Sequence, residues 1–287
     1  MELPEGRRVR LPGRGTTYVR ELPGPPGAPT LVLLHGLGAT SALNWFACFD
    51  ALGERFRVVA LDQRGHGLGI RPGLAGFRLE DCADDVAALA DALALEQIVC
   101  VGYSMGGPVA QLVWRRHANR VAGLVLCATA GSFRGVRRPD LARTVLAQAV
   151  VTGGLTTAAA AMRMVPTAVR RQIMRSGVRQ RVSARGVPPW VVDELARNDP
   201  AFLLEAARSL TQFSSSTWIG DAHVPACVIV TTGDGLVPPA RQRSLAARLP
   251  FATVIEVAGD HAVCGTNPAL FVPALVEACR RVTATGG

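Results

Sequence analysis

Ser104 sits in Gly102-Tyr103-Ser104-Met105-Gly106, a G-x-S-x-G run that follows the apolar stretch Ile98 to Val101 and opens a helix-like stretch from Met105 to His117. A serine hydroxyl is a poor nucleophile unless a base takes its proton during attack, and that base must itself be oriented by an acid. A sharp strand-to-helix turn lifts such a serine clear of its neighbours, although it strains the backbone. Side chains at positions 102 and 106 would collide in that turn, which accounts for glycine at both. Pro108 falls in the first helical turn, where its missing N–H is tolerated.

Candidate bases are few: the chain has five histidines, His35, His66, His117, His223 and His261. His261 lies in Val257-Ala258-Gly259-Asp260-His261, on a loop just past the last strand-like run. His117 falls on the helix after the serine and reads as a surface residue, and His223 precedes Val224-Pro225 with no evident partner. Asp234 follows the run Val228 to Thr231 in Thr232-Gly233-Asp234-Gly235-Leu236-Val237-Pro238. A carboxylate at the end of a core strand shares the sheet edge where the sites of parallel sheets collect. Ser104 as nucleophile, His261 as base and Asp234 as orienting acid therefore form a candidate set for acyl transfer.

These residues need a scaffold, and the apolar runs describe one. Arg7 to Leu11 and Thr16 to Glu21 alternate around a Pro-Gly turn and predict an antiparallel hairpin. Residues 30–34, 57–61, 98–101, 123–127 and 227–231 are short continuous apolar runs, as expected of strands buried on both faces, and Ala252 to Val257 is a sixth nearer the sheet edge. Helical patterns alternate with them over Leu79 to Leu93, with Asp84, Asp85 and Asp91 on the wet side, and over Met105 to His117, Ala240 to Leu249 and Pro268 to Val282. Alternation of this kind predicts an α/β class with a mainly parallel central sheet flanked by helices. From Ser132 to about Gly220 only helical patterns occur, which reads as an insertion between two core strands.

Composition narrows the class. At 287 residues, with 49% hydrophobic and 18% charged residues, the chain can bury a large core and is not disordered. All 31 basic residues are arginine, and the formal net charge is +9. From Ser132 to Arg185 there are eleven arginines and one acid, Asp140, so the insertion carries the positive field. It offers a surface for an anionic substrate or lipid head groups; without interleaved aromatic residues it argues against nucleic acid. The seven cysteines form no C-x-x-C pair and read as buried free thiols. Met1 to Gly13 lacks the apolar segment of a signal peptide, and the uncharged run Thr144 to Met162 is too weakly apolar for a transmembrane segment. A cytoplasmic location is the expectation.

Four further stretches carry a family resemblance. His35-Gly36-Leu37-Gly38 resembles an HGxG turn, Asp62-Gln63-Arg64-Gly65-His66-Gly67 a D-x-R-G-H-G loop, Asp234 to Pro238 a D-x-x-V-P segment, and Gly259-Asp260-His261 the segment around a base. With the order Ser104, Asp234, His261, the chain resembles serine hydrolases of the α/β-hydrolase fold, esterase- and lipase-like, over nearly its whole length. The resemblance implies that the backbone N–H groups of Leu37 and Met105 form the oxyanion hole, where losing one donor typically costs about 3 kcal/mol of transition-state stabilisation. It implies too that the Leu37 and Met105 side chains point toward the acyl group, and that His35, His66, Asp62 and Arg64 brace loops. Thr231 departs from the pattern, since many relatives have glycine there.

Residues 1–131 and 221–287 would then form the core, and 132–220 a helical cap or lid inserted after the sixth strand. Met162, Met164, Trp190, Phe202, Phe213 and Trp218 are its candidate apolar residues. The implied activity is hydrolysis of a small-molecule carboxylic ester, with an apolar acyl group, through an acyl-enzyme, declining as pH falls through roughly 6 to 7. Thioesterase, lactonase, C–C hydrolase, acyltransferase and cofactor-free perhydrolase chemistry stay open, as does a non-catalytic ligand-binding role. Serine at 104 disfavours epoxide hydrolases and haloalkane dehalogenases, which use a carboxylate nucleophile. No cofactor and no metal site is implied.

Overall fold

The computed structural model describes residues 3–73, 76–133, 157–182 and 188–284, and for 179–182 the backbone alone. Eight strands form one sheet in the order β1-β2-β4-β3-β5-β6-β7-β8. They are β1 Gly6–Leu11, β2 Gly15–Leu22, β3 Thr30–Leu34, β4 Arg57–Leu61, β5 Ile98–Tyr103, β6 Val121–Cys127, β7 Ala226–Thr231 and β8 Ala252–Val257. The hairpin β1-β2 is antiparallel and joins β4 antiparallel, while every other pairing is parallel. The strand and hairpin expectations hold, and β8 lies at the edge.

Alternation along the buried strands divides the core into two layers. Val32, Leu34, Cys100, Leu124, Leu126, Val228 and Val230 face one side, against α3 Leu79–Ala92 and α4 Gly106–Arg116. Leu31, Leu33, Val99, Val101, Val125, Cys127, Cys227 and Ile229 face the other. There they meet α1 Ser41–Trp45, α2 Phe49–Gly53 and the last helix, Pro268–Ala284. Each such side chain contributes roughly 1.5–3 kcal/mol by leaving water. All seven cysteines are free and buried in these layers.

One expectation fails on α3. Asp85 is only 2% exposed and lies on the same face as Cys82, Val86 and Leu89. It accepts hydrogen bonds from Arg14 Nε (2.5 Å) and from Arg64 Nε and a terminal nitrogen (2.8 and 2.7 Å). A carboxylate can stand on an apolar stripe when two guanidinium groups meet it. Asp91 does face solvent, paired with Arg120, and half-buried Asp84 pairs with Arg116 and His117.

After β6 the chain leaves the core at Ser132 and returns at Ser214, where these two residues form an isolated antiparallel bridge. Flanking bonds run from Phe133 N–H to Phe213 C=O (3.2 Å) and from Ser215 N–H to Gly131 C=O (2.7 Å). Between them the described residues are helical: α5 over 157–164, α6 Thr167–Val182, α7 Pro189–Ala196 and α8 Pro200–Gln212. Trp218 stacks on Trp114 of α4, with centroids 6.4 Å apart, and Ile219 is buried beside it. Residues 214–220 thus pack with the core, a few residues earlier than expected. Of the expected apolar residues of the insertion, Phe202 and Phe213 are buried, whereas Met164 is exposed.

Arg134, Arg137, Arg138, Asp140, Arg143 and Arg185 lie outside the described residues, as do 144–156 of the uncharged run. No described helix is long and apolar enough to cross a membrane. The remaining helices are α9 Pro239–Ala246, α10 Val263–Thr266 and α11 Pro268–Ala284.

Removing Asp85 strands two part-buried arginines, so Asp85→Ala is expected to lower unfolding free energy by about 3–5 kcal/mol. Asp91→Ala, at an exposed pair, should cost less than about 1 kcal/mol. Urea denaturation of both variants checks the contrast, and equal effects would contradict the assigned burial.

Candidate active site

Three loops at the carboxyl edge of the sheet bring Ser104, His261 and Asp234 together. Ser104 follows β5 with φ 51°, in the left-handed region that disfavours a side chain. A Cβ at Gly102 would collide with the Gly106 carbonyl, and one at Gly106 with the Leu34 carbonyl. The two glycines therefore set how closely strand and helix approach. The turn is then locked: Ser104 N–H donates to Cys127 C=O (2.9 Å), while Ser104 C=O accepts from Gly107 N–H (3.0 Å) and Thr129 Oγ1 (2.7 Å).

Ser104 Oγ lies 2.9 Å from His261 Nε2, and His261 Nδ1 lies 2.7 Å from Asp234 Oδ2. A carboxylate only accepts, so Nδ1 carries the proton and Nε2 is left as acceptor for the serine hydroxyl. Tyr103 fixes the imidazole from behind, its hydroxyl donating to the His261 carbonyl (2.7 Å) and its ring packing edge-on against the imidazole. Burial, with Cys264 nearby, pushes the Tyr103 phenol well above its ordinary range, so it remains a donor.

Asp234 is held by more than its histidine. Oδ1 accepts from the backbone N–H groups of Leu236 and Val237, both at 2.8 Å, and Oδ2 accepts from Thr231 Oγ1 (2.9 Å) and Gln242 Nε2 (3.2 Å). Burial by itself would raise this carboxyl, but the bonds from His261, Val237 and Thr231 outweigh it and hold Asp234 below the usual carboxylate range. Thr231, which departs from the family pattern, thus supplies a donor to the acid. Gln242 is 0% exposed and also bonds Thr231 N–H (3.0 Å, through Oε1) and Val237 C=O (2.7 Å). Sequence reasoning missed Gln242; its signal is a polar residue on the stripe with Leu245 and Ala246 that α9 buries.

The turn 36–39 runs alongside the serine: a Cβ on Gly36 would stand 3.3 Å from Ser104 Cβ. Asn44 Oδ1, also missed from sequence, takes the Gly36 N–H (2.9 Å). Among the described residues, the backbone N–H groups of Leu37 and Met105 have no acceptor within the protein. The Met105 side chain, expected toward the acyl group, is 0% exposed and packs in the core layer with Leu34 and Val109. Leu37 is exposed at the surface, at 37%.

His35 and His66 hold loops, and Asp62 and Arg64 do likewise. Buried His35 accepts from Gln63 N–H (2.9 Å) and donates to Gly36 C=O (2.8 Å), and burial lowers its pKa despite the nearby Asp62. Burial, then the neighbouring His35, take His66 down to about 3, so it donates neutrally to Arg64 C=O. Asp62 accepts from Ser41 N–H, Ser41 Oγ and Leu68 N–H, at 2.7 to 2.9 Å. Among the described residues no His, Cys, Asp and Glu cluster is arranged to hold a metal ion.

Linkage gives a test of Asp234. A carboxyl lowered in the folded state stabilises the fold fully above its unfolded value, near 3.9, and that contribution disappears as pH falls through the lower folded value. The stability gap between wild type and Asp234→Asn should be widest above about pH 4 and close below it. Chemical denaturation across pH 2.5 to 7 would show this, and a gap independent of pH would contradict it.

A profile of the alpha/beta hydrolase fold matches residues 29–268. A Pantoea ananatis protein named for carbamate hydrolysis, RutD, is 28% identical over 272 residues, covering 88% of this chain and 89% of its own. A thermophilic esterase from Thermogutta terrifontis superposes with TM-score 0.71 at 24% identity, covering 97% of this chain and 99% of that one. The enol-lactonase from Burkholderia xenovorans also gives 0.71, at 23% identity, covering 96% and 100%. The sheet order, the strained serine after β5 and the match over most of the chain converge: this chain belongs to the alpha/beta hydrolase family.

Proposed function

We propose that the protein is a serine hydrolase that cleaves carboxylic esters through Ser104, His261 and Asp234. The observation carrying this reading is the continuous hydrogen-bonded line from Asp234 Oδ2 through the imidazole to Ser104 Oγ. As Ser104 Oγ bonds to the substrate carbonyl carbon, its proton passes to His261 Nε2, and Asp234 stabilises the imidazolium that forms. The carbonyl oxygen becomes an anion, for which the unengaged N–H groups of Leu37 and Met105 are the donors at hand. Collapse breaks the bond to the alkoxy group, which leaves as the alcohol with the proton from Nε2. Water then repeats the sequence on the acyl-enzyme, releasing the acid and restoring the Ser104 hydroxyl.

In this reading the helices between Ser132 and Ser214 form the cap over the site, and an apolar acyl group lies beside Leu37. The relatives are named for carbamate, ester and enol-lactone hydrolysis, and each of those bonds is a carbonyl next to a heteroatom. The same line of groups serves each of these bonds, so the ester is the proposal and the leaving group its open variable.

A fluorophosphonate probe should label wild type and not Ser104→Ala, and Ser104→Ala should lose at least about 10³-fold in kcat on esters. A graded panel of esters, thioesters and lactones identifies the bond; no turnover of any ester, with labelling intact, would remove the ester assignment. Protonated Nε2 cannot accept the serine proton, so the rate should fall on acidification as a single-proton limb, Asp234 staying ionised. A rate flat from pH 5 to 8 would count against His261.

A further inference from the structure

The Gly36–Ala39 turn is anchored from two different parts of the molecule. Its entry is held by the core: Asn44 Oδ1 takes the Gly36 N–H at 2.9 Å and His35 Nδ1 donates to the Gly36 carbonyl at 2.8 Å. Its closing bond runs from Ala39 N–H to Gly36 C=O at 3.2 Å, leaving Leu37 and Gly38 as the two central residues. Gly38 adopts φ 75° and a Cβ there would meet nothing within 4 Å, so neither side chain nor packing restrains it.

The exit of the turn is held by the insertion. Asn198, in the link between α7 and α8, donates from Nδ2 to the Gly38 carbonyl at 2.7 Å, and its Oδ1 accepts from Gly67 N–H at 3.0 Å. One amide, 1% exposed, thus ties the turn carrying Leu37 to the 62–68 loop. The link itself is rigid. Asp199 caps α8 through Ala201 N–H (3.0 Å) and pairs with the buried Arg170, whose Nε and terminal nitrogen lie 3.1 and 2.9 Å from Oδ2. Glu194, paired with Arg197, takes the Thr40 hydroxyl at 2.7 Å.

We propose that Asn198 is a positioning residue for the oxyanion hole, through which the seating of the inserted helices sets the aim of the Leu37 N–H. This rests on the reading of Leu37 and Met105 as the oxyanion donors. The Gly38 carbonyl and the Ala39 N–H belong to one peptide, and that N–H donates to the Gly36 carbonyl, the other end of the peptide that bears the Leu37 N–H. Freed of Asn198, a peptide next to an unrestrained glycine rotates readily and slackens that bond. A donor turned off the developing anion loses its effect in the transition state while the ground-state ester still binds.

The test compares Asn198→Ala and Asn198→Asp with wild type on a short-chain p-nitrophenyl ester and on a trifluoromethyl ketone. The ketone adds Ser104 Oγ to its carbonyl carbon, sends the proton to His261 Nε2 and leaves an anionic oxygen in the hole. Asn198→Ala should lower kcat by about 10-fold or more, with KM within about 3-fold, and weaken ketone affinity by the same factor as kcat/KM. Asn198→Asp keeps the acceptor for Gly67 N–H but turns an oxygen toward the Gly38 carbonyl, so its loss should be as large. The acid limb of the rate should keep its midpoint in both, because Asp234, His261 and Ser104 are untouched.

Wild-type ketone affinity in a folded Asn198→Ala or Asn198→Asp would overturn the proposal. A wild type that binds no ketone would instead remove the Ser104 reading and this inference with it.

Discussion

The reversal between β5 and α4 sets the dimensions of the whole carboxyl edge. Gly102 lies against the Gly106 carbonyl and Gly106 against the Leu34 carbonyl, an approach that no side chain would allow. Ser104 is left in a left-handed conformation, a strain on the order of 1–3 kcal/mol. That strain is sustained by β6 and the residues after it, because Cys127 and Thr129 bond both sides of the serine backbone. The serine hydroxyl is therefore aimed by the sheet as a whole.

Around that point, buried charge is distributed so that each group has a defined job. Asp85 pairs with Arg14 and Arg64, Asp62 collects donors from its own loop and from the start of α1, and Asp234 gathers backbone, hydroxyl and amide donors besides its histidine. In a medium of low dielectric such networks are stiff when complete and costly when broken. Loops at 36–39, 62–68 and 234–237 are each pinned by at least one buried polar group, so the edge is organised before any substrate arrives.

What could be read from sequence follows the range of the interactions. Six continuous apolar runs, two alternating ones and the glycine spacing around Ser104 are local, and they led to eight strands and the elbow, while the chain order Ser104, Asp234, His261 led to the three residues the structure brings together. Asp85 was misplaced because a helix pattern counts charge as outward and cannot see Arg14 and Arg64 arriving from elsewhere in the chain. The burial of Met105 likewise depends on a neighbour distant in sequence, Leu34 of β3. Asn198 carries no periodic or motif signal, and Gln242 only a polar place on a buried helical stripe. Gln242 acts through partners 5 to 11 residues away, and Asn198 through Gly38 and Gly67, more than 100 residues away.

The bridge between Ser132 and Ser214 has a consequence for how such a chain can diversify. Because the exit and re-entry points are adjacent, closing them with a short turn or a different insert changes little of the loop-closure entropy that the sheet must bear. The part above the site can thus be remodelled as a module while the strands beneath keep their register. Any graft that omits an amide over Gly38 would inherit an intact nucleophile with a less disciplined neighbour.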